Sequence, residues 1–146
     1  MKYLETIYNE KDKPLTEYPK RLINYLFHRF EMKKNDKILE LGCGRGEFLN
    51  EFINTGLEGH GVDISNFSKN FFPKLNFKKV DMANEQLHYE DNYFDIIYSK
   101  SLIEHFYYPE KIFQEAYRVL KPGGKIITLT PEWKYIYKSF YEDFTH

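Results

Sequence analysis

Three glycines at alternating positions, Gly42, Gly44 and Gly46, stand between a carboxylate at Glu40 and another at Glu47. Glycine admits backbone angles that side chains forbid and lets the main chain press close against a ligand. Further along, Asp63 closes the stretch H-G-V-D and Asp81 closes K-K-V-D, while the run from Ser99 gathers Lys100, Glu104 and His105. A glycine turn flanked by acids is suited to holding a nucleoside, and the charges decide which kind.

A dinucleotide fingerprint needs Gly or Ala at position 47 and rests a pyrophosphate on the following helix N-terminus. That position is Glu47, a negative charge where the anion should sit. A phosphate-binding P-loop fails as well, because no Gly-Lys-Ser/Thr follows. Carboxylates around a glycine loop suit a ligand with adenosine at one end and positive charge at the other. S-adenosyl-L-methionine, with its sulfonium and its ammonium, is such a ligand. Asp63 lies 17 positions beyond Gly46, at a strand end where a carboxylate takes both hydroxyls of an adenosine ribose, with Ile64 beside it. Cys43 reads as a small buried thiol within the loop.

These groups need a scaffold. Ile38, Leu39 and Leu41 form a short apolar run that stops at Gly42, which reads as a buried strand. Phe48, Leu49, Phe52 and Ile53 then follow a helical spacing. An earlier helix is expected from Thr16 as N-cap, with Pro19 in its first turn and Leu22, Ile23, Leu26, Phe27 and Phe30 as its apolar stripe; His28 falls off that stripe. Strands ending at Asp63, Asp81 and Ser99 follow, the last nearly unbroken in its apolar run, as a buried parallel strand requires. Pro109 opens a helix that Lys121-Pro122-Gly123-Gly124 should stop, and Lys125 to Thr130 reads as a fifth strand. Strands alternating with helices predict a parallel sheet whose ligand gathers at the carboxyl ends of the strands. There the backbone carbonyls of Gly42 and Ser99 should receive the ligand's ammonium.

The sequence E-L-G-C-G-R-G resembles the first motif of the class I, Rossmann-like S-adenosylmethionine-dependent methyltransferases. The likeness extends through G-V-D-I-S at 61–65, V-D-M at 80–82, F-D-I-I-Y-S-K-S-L-I-E-H-F at 94–106 and V-L-K-P-G-G-K-I-I-T-L-T-P at 119–131. It implies an α/β, three-layer, doubly wound and mainly parallel sheet with strand order 3-2-1-4-5, and with the family's sixth and seventh strands missing. It implies a single domain over 1–146, with N-terminal helices and a lid over 1–34 bearing Tyr3 or Tyr8. The cofactor core spans 35–131 and the start of an acceptor-side region 132–146. The cofactor would be S-adenosyl-L-methionine and the product S-adenosyl-L-homocysteine. Asp81 and the Met82 N–H match the pair that meets the adenine. Tyr107 and Tyr108 would shape an acceptor pocket, joined from the C-terminal helix by Tyr137 and His146. His105 is a candidate general base because an unperturbed imidazole titrates near neutrality, although a Glu-His pair recurs across the family's unrelated substrates, which argues for a structural or cofactor-side role.

Composition narrows the partners. At 146 residues the chain is one domain by size, burying about two-thirds of its unfolded surface. A net charge of −1 gives no global field to attract nucleic acid. One cysteine makes no internal disulfide, so a reducing cytoplasm is the expected setting, and no apolar stretch is long enough to span a bilayer. The expected function is therefore methyl transfer to an oxygen or nitrogen of a small molecule, a metabolite, sugar or lipid precursor. The alternative is a cofactor-binding module without turnover. A sheet that ends at its fifth strand exposes an edge, which a homodimer could cover.

Overall fold

The computed structural model describes residues 14–66 and 68–132. In chain order these form helix α1 (Tyr18–Arg29), strand β1 (Lys37–Leu41), helix α2 (Glu47–Asn54), β2 (Glu58–Asp63), a short α3 (Ser68–Phe71), β3 (Asn76–Lys79), β4 (Phe94–Lys100), a 3-10 turn (Ile103–His105), α4 (Glu110–Val119) and β5 (Leu120–Leu129). The expected lid residues Tyr3 and Tyr8, and the C-terminal Tyr137 and His146, lie outside the described residues.

The sheet is parallel throughout, in the order β3-β2-β1-β4-β5. Period-two alternation divides its side chains between two cores. Ile38 of β1 and Ile96 and Tyr98 of β4 pack with Ile23 and Leu26 of α1 and Phe52 of α2. Leu39, Leu41, Val62 and Ile97 point the other way, onto Ile112, Ala116 and Val119 of α4. Those three residues fall at i, i+4 and i+7, a single helical stripe. The strand order reverses at β1 and β4, so the end of β1 opens into a crevice between its two neighbours.

Two boundaries differ from the sequence expectation. The first helix takes Glu17 as its N-cap; Thr16 instead accepts the Tyr18 N–H on its hydroxyl at 3.3 Å. Lys121-Pro122-Gly123-Gly124 does not separate helix from strand. The backbone enters β5 directly from α4, and the register jumps from Phe94 opposite Leu120 to Ile96 opposite Lys125, so the four residues bulge outward beside Asp95. Gly123 supplies the left-handed backbone that the bulge requires, φ +79°. Asp95 fastens it: one oxygen accepts from Lys121 Nζ at 2.7 Å and the other from the Lys37 N–H at 2.9 Å.

The 80–93 segment contains no helix. Arg118 of α4 holds it by donating to the Leu87 and Tyr89 carbonyls and to Asp91 and Glu115, all at 2.8 to 2.9 Å.

Candidate cofactor site

The glycine loop leaves β1 with positive φ at all three glycines, 70°, 49° and 83° at Gly42, Gly44 and Gly46. Gly42 and Cys43 both donate to the Val62 carbonyl, at 2.8 and 3.1 Å, so the bend is pinned to β2. A methyl group on Gly42 would stand 2.7 Å from Leu102 Cδ1, and one on Gly46 would collide with Leu75 Cδ1. Cys43 is buried, and its sulfur lies where a Cβ on Gly61 would come within 2.9 Å. It fills the space between loop and β2, and burial pushes its thiol pKa upward, away from a reactive thiolate.

Glu40 has a role that residue spacing did not reveal. Gly46, the N-cap of α2, has no side chain to satisfy the helix's free N–H groups. The buried Glu40 carboxyl faces that end of the helix, where the Leu49 backbone N–H favours its charged form. Its Oε2 has no partner among the described residues. Beside it on the same face of the sheet stands Tyr98, the register partner of Glu40 on β4, whose buried hydroxyl also has no partner among the described residues. Burial, followed by the charges of Asp63 and Glu47, raises the Glu40 pKa well above the ordinary carboxylate value. A buried acid with an orphaned oxygen fits a cation: an arriving ammonium supplies both the missing donor and the missing charge.

The other acids have mixed settings. Asp63 is 7% exposed and organises the loop; its Oδ2 accepts the Gly44 N–H at 2.9 Å and its Oδ1 the Ser65 N–H and hydroxyl at 2.9 and 3.1 Å. A carboxylate offers about four lone-pair directions, so roughly one remains for a ribose hydroxyl. Ile64, next to it, is 49% exposed, an apolar surface at the rim. Asp81 lies two residues past β3 and accepts from the Ala83 N–H and the Asn84 side chain, chiefly the latter holding its pKa below the ordinary value. The Met82 side chain is buried in the α4-side core, and its N–H makes no hydrogen bond among the described residues. Ser99 is buried opposite Leu41, with its hydroxyl on Thr128 at 3.2 Å.

Glu47 is not the bare anion its position suggested. Arg45 pairs with it at 2.7 Å, so its repulsion of a diphosphate is largely cancelled. The electrostatic case against a dinucleotide therefore rests on Glu40 and Asp63.

The acceptor candidates are dispersed. His105 ends the 3-10 turn and is exposed, and Tyr107 and Tyr108 are 99% and 82% exposed. Neighbouring Glu104 accepts from the Thr130 hydroxyl at 3.2 Å. A cleft of about 720 Å³ lies elsewhere, between the amino end of β3 and the 86–90 segment. Several of its polar groups are already paired: Lys78 with the His88 carbonyl, His60 with Glu58 and Asn76, and Arg118 as above.

Fold and loop define an α/β domain with a glycine loop and buried acids at the switch point of its sheet. The chain belongs to the methyltransferase domain family, whose profile matches residues 39–128, and that family and fold imply S-adenosyl-L-methionine as cofactor. It is 31% identical to sterol 24-C-methyltransferase erg6 of Aspergillus fumigatus, over 69% of this chain and 29% of that protein. It is also 31% identical to phosphoethanolamine N-methyltransferase 2 of Caenorhabditis elegans, over 66% of this chain and 24% of that one. The chain thus spans well under a third of either relative's length. Among solved structures, the PH0226 protein of Pyrococcus horikoshii superposes with a TM-score of 0.73 at 31% identity, covering 88% of this chain and 65% of that one.

Proposed function

We propose that the protein transfers a methyl group from S-adenosyl-L-methionine to an oxygen or nitrogen of a small molecule. The observation that carries this reading is the buried Glu40 oxygen at the start of a glycine loop, which has no partner among the described residues. When bound, the cofactor supplies an activated methyl carbon on a positively charged sulfur. The chain's own task is to hold the acceptor about 3 to 3.5 Å away along the C–S axis and to keep water out. Glu40 and the carbonyls of Gly42 and Ser99 take the ammonium, Asp63 a ribose hydroxyl, and Asp81 and the Met82 N–H the adenine, whose face packs on Ile64. His105 takes the acceptor proton where the acceptor is neutral, and Tyr107, Tyr108, Tyr137 and His146 contact the acceptor.

One relative is named for methylation at carbon and one at nitrogen, and the second supports a nitrogen acceptor here. The exposure of Tyr107 and Tyr108 favours the alternative, a domain that binds cofactor without turning it over. Incubation with methyl-labelled cofactor and a panel of amines, hydroxy acids and sugars separates the two. Transfer to any acceptor supports the enzyme, and tight cofactor binding with no transfer to any of them supports the binding module. Strand β5 pairs only with β4 among the described residues, which supports a second copy along its free edge, read out as dimer mass in light scattering.

A further inference from the structure

The amino-acid end of the cofactor is a zwitterion. Its ammonium suits Glu40, but its carboxylate, ionised at neutral pH, would be repelled by Glu40 and Asp63. A cation has to meet it. Arg45 is committed to Glu47 at 2.7 Å, Arg118 to Glu115 and Asp91, and Lys121 to Asp95.

Lys100 differs from these. It is the last residue of β4, directly after Ser99, and alternation puts it on the same side of the sheet as Tyr98 and hence as Glu40. It makes no hydrogen bond or ion pair among the described residues. Its ammonium lies 5.3 Å from the centre of the Phe48 ring and 5.8 Å from that of Tyr18, the first turns of α2 and α1. Two rings meeting edge to face at 6.0 Å steady a half-buried cation without neutralising it. The charge is close enough to Glu40 to act on its carboxyl.

Resting on the cofactor reading above, we infer that Lys100 binds the carboxylate of the cofactor's amino-acid end, so that Lys100 and Glu40 together read the two charges of the zwitterion. The rings of Phe48 and Tyr18 hold the lysine stem at the strand end, and the ammonium turns toward the ligand. Lys100 is a binding residue and moves no proton in the reaction.

Calorimetric titration of wild type, Lys100→Met and Lys100→Arg with three ligands tests this. S-adenosyl-L-homocysteine carries both charges, S-adenosyl-3-thiopropylamine lacks the carboxylate, and 5′-methylthioadenosine lacks the whole amino-acid end. Methionine keeps the stem against Phe48 and removes only the charge. Lys100→Met should weaken S-adenosyl-L-homocysteine roughly ten- to hundredfold, the range of one charge-assisted contact. Methylthioadenosine should stay within about twofold, thiopropylamine binding should hold or tighten, and Lys100→Arg should restore most of the loss. Equal losses for all three ligands, or an unchanged affinity for S-adenosyl-L-homocysteine, would overturn the assignment. The latter result would leave Lys100 for an anionic acceptor instead. Wild type that binds none of the three overturns the cofactor reading itself.

Discussion

Replacing Glu40 by glutamine should move stability and affinity in opposite directions. The carboxyl is buried near Asp63 and Glu47 and faces the Leu49 N–H, and its Oε2 has no partner among the described residues. Glutamine keeps the acceptor for Leu49 and puts a neutral donor where the orphaned oxygen stands. Because the folded-state pKa of Glu40 is raised, the folded protein holds a proton that the unfolded chain releases. Its stabilising effect is complete below the unfolded glutamate value and is lost as pH rises toward the folded one. Each pH unit within that window costs about 1.4 kcal/mol for one proton. Urea melts at stepwise pH from about 4 upward should therefore show Glu40→Gln and wild type close together at the acid end, and the variant increasingly the more stable above it. At this size each kcal/mol is about 2 to 4 °C in Tm. Affinity for S-adenosyl-L-homocysteine should fall by about 1.5 to 3 kcal/mol, the worth of a hydrogen bond to a charged group. A stability difference that is flat with pH, or a variant that binds the ligand as tightly as wild type, would refute the reasoning.

Gly42→Ala introduces a Cβ 2.7 Å from Leu102 at φ +70°, so it should cost about 1 to 3 kcal/mol of stability and weaken the cofactor further, measured by melting and titration. Asp63→Ala frees the Gly44 N–H and the Ser65 pair; hydrogen exchange at Gly44 should accelerate and cofactor affinity should fall at least tenfold, about 1.4 kcal/mol. Arg118→Ala releases the 87–91 segment and should lower stability by about 2 kcal/mol, with added exchange confined to residues 85–92. The Arg118 hydrogen bond is the main cause holding Glu115 below its ordinary pKa, so that pair's contribution is present above the unfolded glutamate value and fades as pH falls through the folded one. Acid unfolding of the variant should accordingly be less steep.

The loop that ends β1 was legible from its alternating glycines and the apolar run before them, and the strand order followed from the family resemblance. What escaped was decided by side-chain direction at element ends. Glu40 read as a charge at the loop, yet its carboxyl faces the Leu49 N–H of α2, a placement formed only when the helix folds back over β1. The signal was available: period two puts Glu40 on the α1–α2 face with Ile38 and pairs it with Tyr98. Glu47 read as an uncompensated anion because its partner Arg45 lies two positions away, a spacing that no helix face brings together. Lys121 to Gly124 carry the residues of a stop, and only Asp95 on the adjacent strand turns them into a bulge. For the acceptor, the tyrosines at 107 and 108 are in solvent, and spacing along the chain could not reveal that.

A crystal structure with S-adenosyl-L-homocysteine soaked or co-crystallised tests the central claim most directly. The account predicts the ligand across Gly42–Gly46, its ammonium within hydrogen-bond distance of Glu40 Oε2 or the Ser99 carbonyl, and a ribose hydroxyl on Asp63. Ligand bound away from that loop, or a ribose that leaves Asp63 bonded only to Gly44 and Ser65, would contradict it.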